Sequence, residues 1–140
     1  MATMSREERE EYLSRPHIGV IAIEQPGRGP LAVPVWYRYE PGGNVEVLMG
    51  ADSKKAKLIA GSGRYTMTVQ REELPYKYVM AEGPVIESRP ADTETDTRPM
   101  ARRYLGDELG DQYVQDGADE SSVVLVMRPE RWYSTDYGKA

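Results

Sequence analysis

Cysteine and phenylalanine are both missing from the 140 residues, and histidine occurs once, at His17. Without cysteine the chain can form no disulfide, no thiolate zinc or iron–sulfur site and no thiol nucleophile. A single histidine at the entrance of an apolar run leaves little for metal catalysis or for imidazole acid–base chemistry. Every aromatic ring is one of ten tyrosines or two tryptophans, so each carries a polar group that needs a partner or water. No apolar run approaches the roughly 20 residues of a membrane span. The stretch from Met1 to Glu8 is acidic where a secretory signal would be basic and then apolar. A cytoplasmic protein without a membrane partner is expected. The net charge of −5 provides no broad basic face, which argues against nucleic acid.

What positive charge there is lies close together. Between Gly50 and Arg64 four basic residues stand against Asp52 alone. Val47-Leu48-Met49-Gly50 reads as the end of a strand, Ala51-Asp52 as a turn, and Ser53 as the N-cap of a short helix that Gly61 and Gly63 stop. The first turn of such a helix has unpaired N–H groups and a partial positive charge, which suits a phosphate. At 100° per residue Lys55 shares the side of Leu58 and Ile59, whereas Lys54 and Lys57 turn away from it. Helical side chains lean toward the N-terminus, so the Lys55 amine reaches the anion position while its stem covers apolar surface. A solvated basic helix with Lys55 snorkelling accounts for the same spacing.

Along the chain, Ser5-Arg6-Glu7-Glu8 has capping-box spacing and opens a helix through Tyr12 and Leu13 to Arg15-Pro16. Strands are expected over 17–23, 31–39, 45–49, 64–70, 76–87 and 122–129, from β-branched content, alternation and bounding turn residues. Pro34 cannot donate to a ladder, so it belongs on an edge or beside something other than a strand. Gly83-Pro84 should bend the long fifth strand so that it serves two parts of a barrel. A second helix begins at Pro99, with Gly106 and Gly110 interrupting it. Residues 91 to 120 hold nine acidic and three basic side chains and read as a solvated face. The closing Trp132-Tyr133 and Tyr137 need something to pack on, in this chain or a partner. The expectation is one α+β domain, mainly β, over 1–140: six antiparallel strands closing into a small split barrel, with two or three short helices. Such a sheet has edges unless it closes or pairs with a second copy.

Ile18-Gly19-Val20-Ile21-Ala22, Gly29-Pro30 with Val33-Pro34-Val35-Trp36-Tyr37, Ser53-Lys54-Lys55-Ala56, Ala81-Glu82-Gly83 and the Trp132-Tyr133 ending stand in this order and spacing. Together they resemble the pyridoxamine 5'-phosphate oxidase-like split-barrel family over about residues 10 to 138. Within it the chain looks most like the flavin/deazaflavin-dependent oxidoreductases. The resemblance implies a homodimer of split β-barrels with FMN or coenzyme F420 bound at the interface. It places Ser53, Lys54 and Lys55 in the family's Ser-Arg-Lys phosphate clamp, with Lys54 where arginine is usual, so the bidentate fork is lost. That leaves room for a longer anionic tail gathered by Lys54, Lys55 and Lys57. The resemblance also puts Pro34, Val35, Trp36, Met49 and Gly50 along the cofactor ring, Tyr78 at a ring-contacting position, and Trp132 in the region reaching across the dimer. The C-terminal substrate extension of true pyridoxamine phosphate oxidases is absent from these residues, and that activity is not assigned. The expected function is hydride transfer between a reduced deazaflavin or flavin and a small conjugated substrate; a flavin, deazaflavin or haem carrier and a structural dimer are the alternatives.

Overall fold

The computed structural model describes residues 2–117 and 121–139. Helix α1 (Arg6–Ser14) opens on the expected capping box. The Ser5 hydroxyl accepts the Glu8 N–H at 3.2 Å, and the Glu8 carboxylate accepts the Ser5 N–H at 2.9 Å. Its inner side buries Tyr12 and Leu13. The chain then runs through β1 (Gly19–Gln25), β2 (Arg28–Val35), β3 (Tyr37–Arg38), β4 (Val45–Gly50), α2 (Lys54–Ser62), β5 (Arg64–Arg71) and β6 (Lys77–Pro90). After a π-helical turn (Thr93–Thr97) come α3 (Arg98–Leu105), α4 (Asp107–Asp116), β7 (Ser122–Met127) and β8 (Arg131–Asp136). No helix among the described residues is long and apolar enough to cross a membrane.

The strands form one curled antiparallel sheet in the order β2-β1-β5-β6-β7-β4-β3, with β8 added on β6. There are eight strands where six were expected. The run expected as one strand over 31–39 breaks at Trp36 into β2 and β3, which lie at opposite ends of the order. The C-terminal segment supplies the other extra strand by pairing with β6 from Lys77↔Asp136 to Glu82↔Arg131. Pro34 lies on β2, at an edge of the order, as its missing donor requires.

The described residues also hold four α-helices, not two or three. Gly106, at φ +84°, ends α3, but Gly110 interrupts no helix. Gly110 sits inside α4 because a Cβ there would lie 2.7 Å from the backbone nitrogen of Arg102, so only glycine lets α4 settle on α3. In the acidic stretch Asp92, Glu94, Asp107, Glu108 and Asp116 are exposed, as a solvated face requires; Asp96 alone of the described acidic residues there is buried and departs from it. Asp96 is 2% exposed and accepts from Arg89 at 2.8 Å, from Arg38 at 2.5 Å and from the Asp92 N–H at 2.8 Å. Burial alone would raise its pKa; the Asp92 N–H and the two guanidinium groups outweigh it and hold the carboxyl below its ordinary value.

Strand β6 carries both halves of the sheet. Its first part pairs with β5 and β8, its second with β7, and the register shifts between Val85 and Glu87. The shift falls just after the Gly83-Pro84 pair at which the bend was expected. At Gly83 a Cβ would stand 1.8 Å from the Arg128 carbonyl oxygen, and the crossing is tied by Arg128 N–H to Pro84 O (3.0 Å) and Glu130 N–H to Glu82 O (2.9 Å). Inside the curl lie Ile21, Ile23, Val45, Val47, Tyr65, Met67, Val69, Val79 and Met127. With no phenylalanine to fill this core, the fully buried Tyr65 must satisfy its hydroxyl, and it does so between the carbonyls of Leu125 (3.1 Å) and Val45 (3.2 Å).

Gly83→Ala should therefore destabilise the fold by about 3 kcal/mol or more, because the clash is with backbone. Gly61→Ala, in α2 with nothing within 4 Å of the added Cβ, should stabilise it by about 0.5–1 kcal/mol. Urea titrations of the two variants check both signs.

Candidate functional site

The two ends of the sheet order, β2 and β3, are joined by Trp36 alone. The curl is therefore closed by the chain itself at this seam, and not by a strand ladder. Helix α3 supplies hydrogen bonds there instead. The Tyr37 N–H donates to the Tyr104 hydroxyl oxygen at 3.0 Å, and that hydroxyl faces the carbonyls of His17 (2.6 Å) and Tyr37 (3.0 Å). Arg103 donates to Tyr37 O at 3.1 Å and Ser14 O at 3.0 Å. Burial raises the Tyr104 pKa, which keeps its proton in place for this bonding. The Trp36 ring lies parallel to Tyr104, 5.1 Å between centroids and 6° between planes.

A cleft of about 700 Å³ opens beside the seam. Its lining comes from the end of β2 and the seam (Pro34, Val35, Trp36), the end of β4 (Leu48, Met49, Gly50), Lys55 of α2, and Met100, Tyr113 and Val114 of α3 and α4. Of the described lining residues only Lys55 and Asp116 are charged.

Helix α2 is built as its residues dictate. Ser53 caps it, accepting the Ala56 N–H at 3.2 Å, and Gly63, at φ +73°, ends it with its N–H on Ile59 O at 2.7 Å. Ala56 and Ile59 are buried and Leu58 packs on the core. Lys55 is half-buried and borders the cleft, whereas Lys54 and Lys57 are exposed and do not line it. The charge at the start of α2 is thus presented to the cleft through one lysine.

Of the eleven residues singled out from the sequence, Pro34, Val35, Trp36, Met49, Gly50 and Lys55 come together in the cleft, and Ser53 stands at the head of α2 beside it. Tyr78 and Trp132 do not join them within one chain. Tyr78 sits on β6 with its ring 6.1 Å from Tyr133 of β8. Trp132 lies under the Arg9 guanidinium at 4.7 Å and edge-on to Tyr39. Sequence reasoning missed the contribution of α4, since Gly110 looked like a breaker. It also set the acidic stretch apart from the basic helix, yet Asp116 and Lys55 line one cleft. Asp111 fastens α4 to α3, accepting from Arg98 at 2.7 Å and from Arg102 at 2.8 and 2.9 Å. These bonds, Arg102 first, hold its carboxyl down at about 2.

No family model matches the chain, and no curated protein sequence matches it. Solved structures do. An F420 reductase superposes with TM-score 0.71 at 23% identity, over 89% of this chain and 94% of that one. An FAD-binding protein from Mesorhizobium loti gives 0.63 at 15%, over 95% of each chain. A Listeria innocua protein described as a candidate pyridoxamine 5'-phosphate oxidase gives 0.65 at 14%, over 92% of this chain and 96% of that one. The fold is that of the pyridoxamine 5'-phosphate oxidase-like split barrels.

If the Tyr104 hydroxyl holds the seam, Tyr104→Phe leaves the Tyr37 N–H without its partner and should cost about 1–3 kcal/mol. Tyr113→Phe, at a half-exposed ring on the same helical pair, should change stability by less than about 0.5 kcal/mol. Urea midpoints compare the two.

Proposed function

Starting from the split-barrel fold, we propose that this protein is an oxidoreductase that binds coenzyme F420 or FMN in the cleft beside Trp36 and moves a hydride between it and a small conjugated substrate. The observation that carries the reading is the meeting of one half-buried lysine, at the start of a capped helix, with an apolar and aromatic cleft of about 700 Å³. That combination fits a planar ring with an anionic tail, in a volume ordinary for cofactor sites. An F420 reductase and an FAD-binding protein among the structural neighbours support the same reading.

Ser53, Lys55 and the first N–H groups of α2 would receive the anion. Lys54 and Lys57, on the exposed side, would meet only a tail long enough to leave the cleft. Pro34, Val35, Trp36, Met49 and Gly50 would lie along the ring and keep water from it. When bound, the cofactor supplies the hydride chemistry. Lysine provides point charge without arginine's fork, which favours the polyanionic tail of F420 over the single phosphate of FMN.

The same proposal includes a homodimer, in a cytoplasmic setting. On the outer face of the sheet the registers align Pro34, Val20, Thr68, Met80 and Tyr133 in one row with no charge in it, and Val20 and Tyr133 are exposed. Ile18 and Tyr78 lie on the same face, and an exposed apolar sheet face of this kind suits a second copy. Through it Tyr78 would approach the partner's cleft. Trp132, in register with the buried Ala81, turns to the other side of the sheet and packs on the core, so the reach across the dimer expected of it does not run through this face. Val20→Glu should turn a sedimenting dimer into a monomer with unchanged circular dichroism; a monomeric wild type would refute the dimer.

Fluorescence titration with F420 and with FMN tests the cofactor, and oxidation of the reduced coenzyme by enones and quinones tests turnover. Tight binding without turnover would make the protein a carrier. Lys55→Ala should weaken cofactor binding roughly tenfold to a hundredfold, as for a charge-assisted hydrogen bond of about 1.5–3 kcal/mol, and most of that loss should persist in high salt. Lys57→Ala should cost about 1 kcal/mol or less and fade with salt. Equal, equally salt-sensitive losses would reduce α2 to a basic surface.

A further inference from the structure

Helix α1 leaves one of its arginines without a carboxylate. Arg6 pairs with Glu10 at 2.8 Å, and Arg15, just past the helix, pairs with Glu11. The positions three and four residues from Arg9 hold Ser5, Arg6, Tyr12 and Leu13, so helical spacing offers it no acid. Arg9 instead lays its guanidinium over the Trp132 ring, 4.7 Å from the centroid. Its side chain bonds to no described residue, and its Nε is buried without an acceptor. An indole face stabilises the charge of a guanidinium but accepts none of the N–H groups in its plane.

Arg9 borders a recess of about 320 Å³ between α1, the turn before β4 and the turn after β7. The other charged lining residues are Arg6, Glu10 and Arg128. These are already matched: the buried Glu10 is held by Arg6, and Arg128 pairs with Glu130 at 2.8 Å. The charge left over is that of Arg9. Asn44 lines the same recess, half-buried, and its amide also bonds to no described residue. Two unengaged donor groups, one charged and one neutral, thus meet in a space at the small end of ligand sites.

We propose that this recess binds a small organic carboxylate, whose oxygens accept from the Arg9 guanidinium and the Asn44 amide. A single uncancelled positive charge fits a monoanion better than a phosphate dianion, and arginine's planar fork matches the two oxygens of a carboxylate. Tyr39 and Trp132 supply aromatic lining for the rest of the molecule. The recess shares no lining residue with the cleft beside Trp36, so this site stands or falls separately from the cofactor reading.

Benzoate and benzamide, alike in shape and different in charge, are the probes. Calorimetry gives their affinities, and the indole N–H signals of Trp36 and Trp132 in a proton–nitrogen correlation spectrum report where they bind. Benzoate should bind about tenfold or more tightly than benzamide, moving the Trp132 signal and leaving that of Trp36 in place. Arg9→Gln should weaken benzoate about 10- to 100-fold, as for a hydrogen-bonded charge, and Asn44→Ala about 3- to 10-fold. Arg128→Ala removes an exposed charge that already has a partner and should cost less than about fivefold. Arg9→Lys keeps a cation beside Trp132, which guards against a mere loss of packing, and should still bind benzoate less tightly than wild type because the fork is gone.

The proposal is overturned if wild-type protein does not bind benzoate, if benzoate moves the Trp36 signal instead, or if benzamide binds as tightly. Unchanged affinity in Arg9→Lys and Asn44→Ala overturns it too, even where Arg9→Gln fails to fold. A loss in Arg128→Ala equal to that in Arg9→Gln would reduce the recess to a basic surface. F420 affinity should be the same in Arg9→Gln as in wild type; a parallel loss would assign the carboxylate to the cofactor's own tail and overturn a separate site. Wild-type protein that takes up neither F420 nor FMN, yet binds benzoate through Arg9, refutes the oxidoreductase reading and supports this site.

Discussion

The seam at Trp36 is the constraint on which the remaining architecture depends. A sheet of this size can remove its edges by hydrogen-bonding the last strand to the first, but here β2 and β3 are successive in the chain, one residue apart. With Pro34 on β2 lacking an N–H, an ordinary ladder could not have been completed along it. The curl stays split, and a helix covers the split. Tyr104 and Arg103 act on Tyr37 as a neighbouring strand would, one giving and taking a hydrogen bond and the other giving one. The cleft is the remaining space beside this repair, so its walls are as rigid as the bonds that close the sheet.

Tyrosine in place of phenylalanine makes those bonds possible and also makes them obligatory. A buried phenol without a partner forfeits roughly the cost of an unsatisfied polar group, about 1–3 kcal/mol. The hydroxyls of Tyr37 and Tyr65 therefore fix distances between elements far apart in sequence, from α1 to β3 and from β5 to β4 and β7. The Arg38–Asp96–Arg89 cluster does the same for the π-helical turn against β3 and β6. Helix α3 is consequently held at both ends, by the ionic cluster before it and by the Tyr104 hydroxyl near its close, and α4 is tied to it through Asp111.

Much of this was legible in the sequence where the governing physics is local. The capping box at Ser5, the cap at Ser53, the stop at Gly63, the edge position of Pro34 and the bend at Gly83 each follow from a backbone requirement of nearby residues. The side of α2 on which Lys55 lies follows from periodicity alone. The features that were not legible depended on distant partners. Gly110 has the same local preference whether it breaks a helix or admits a neighbour, and only the position of Arg102 decides between them. Asp96 looks like any other acidic residue until Arg38 and Arg89, from two separate strands, are brought to it. Likewise, nothing local to Trp36 announces that the strand stops there, because the break is imposed by the direction of the whole sheet.

The N-terminal segment returns to the last strand. Ala2 bridges Asp136, the Met4 N–H donates to the Ser134 hydroxyl at 3.2 Å, and Lys139 pairs with Glu8. Meanwhile β6 cannot gain its outer neighbour until β8 exists. Contacts of such long sequence separation must form late and slowly, since the entropy of loop closure is lost before the contacts stabilise anything. On the ribosome, a chain whose residues past 130 are still in the exit tunnel has the segment before α1 with no strand to return to and β6 with one unpaired flank. The hairpin of β1 with β2 and that of β5 with β6 can assemble early, but the curl waits for the last strand to emerge. Synthesis of this protein therefore passes through an interval in which an open strand edge is exposed to other nascent chains.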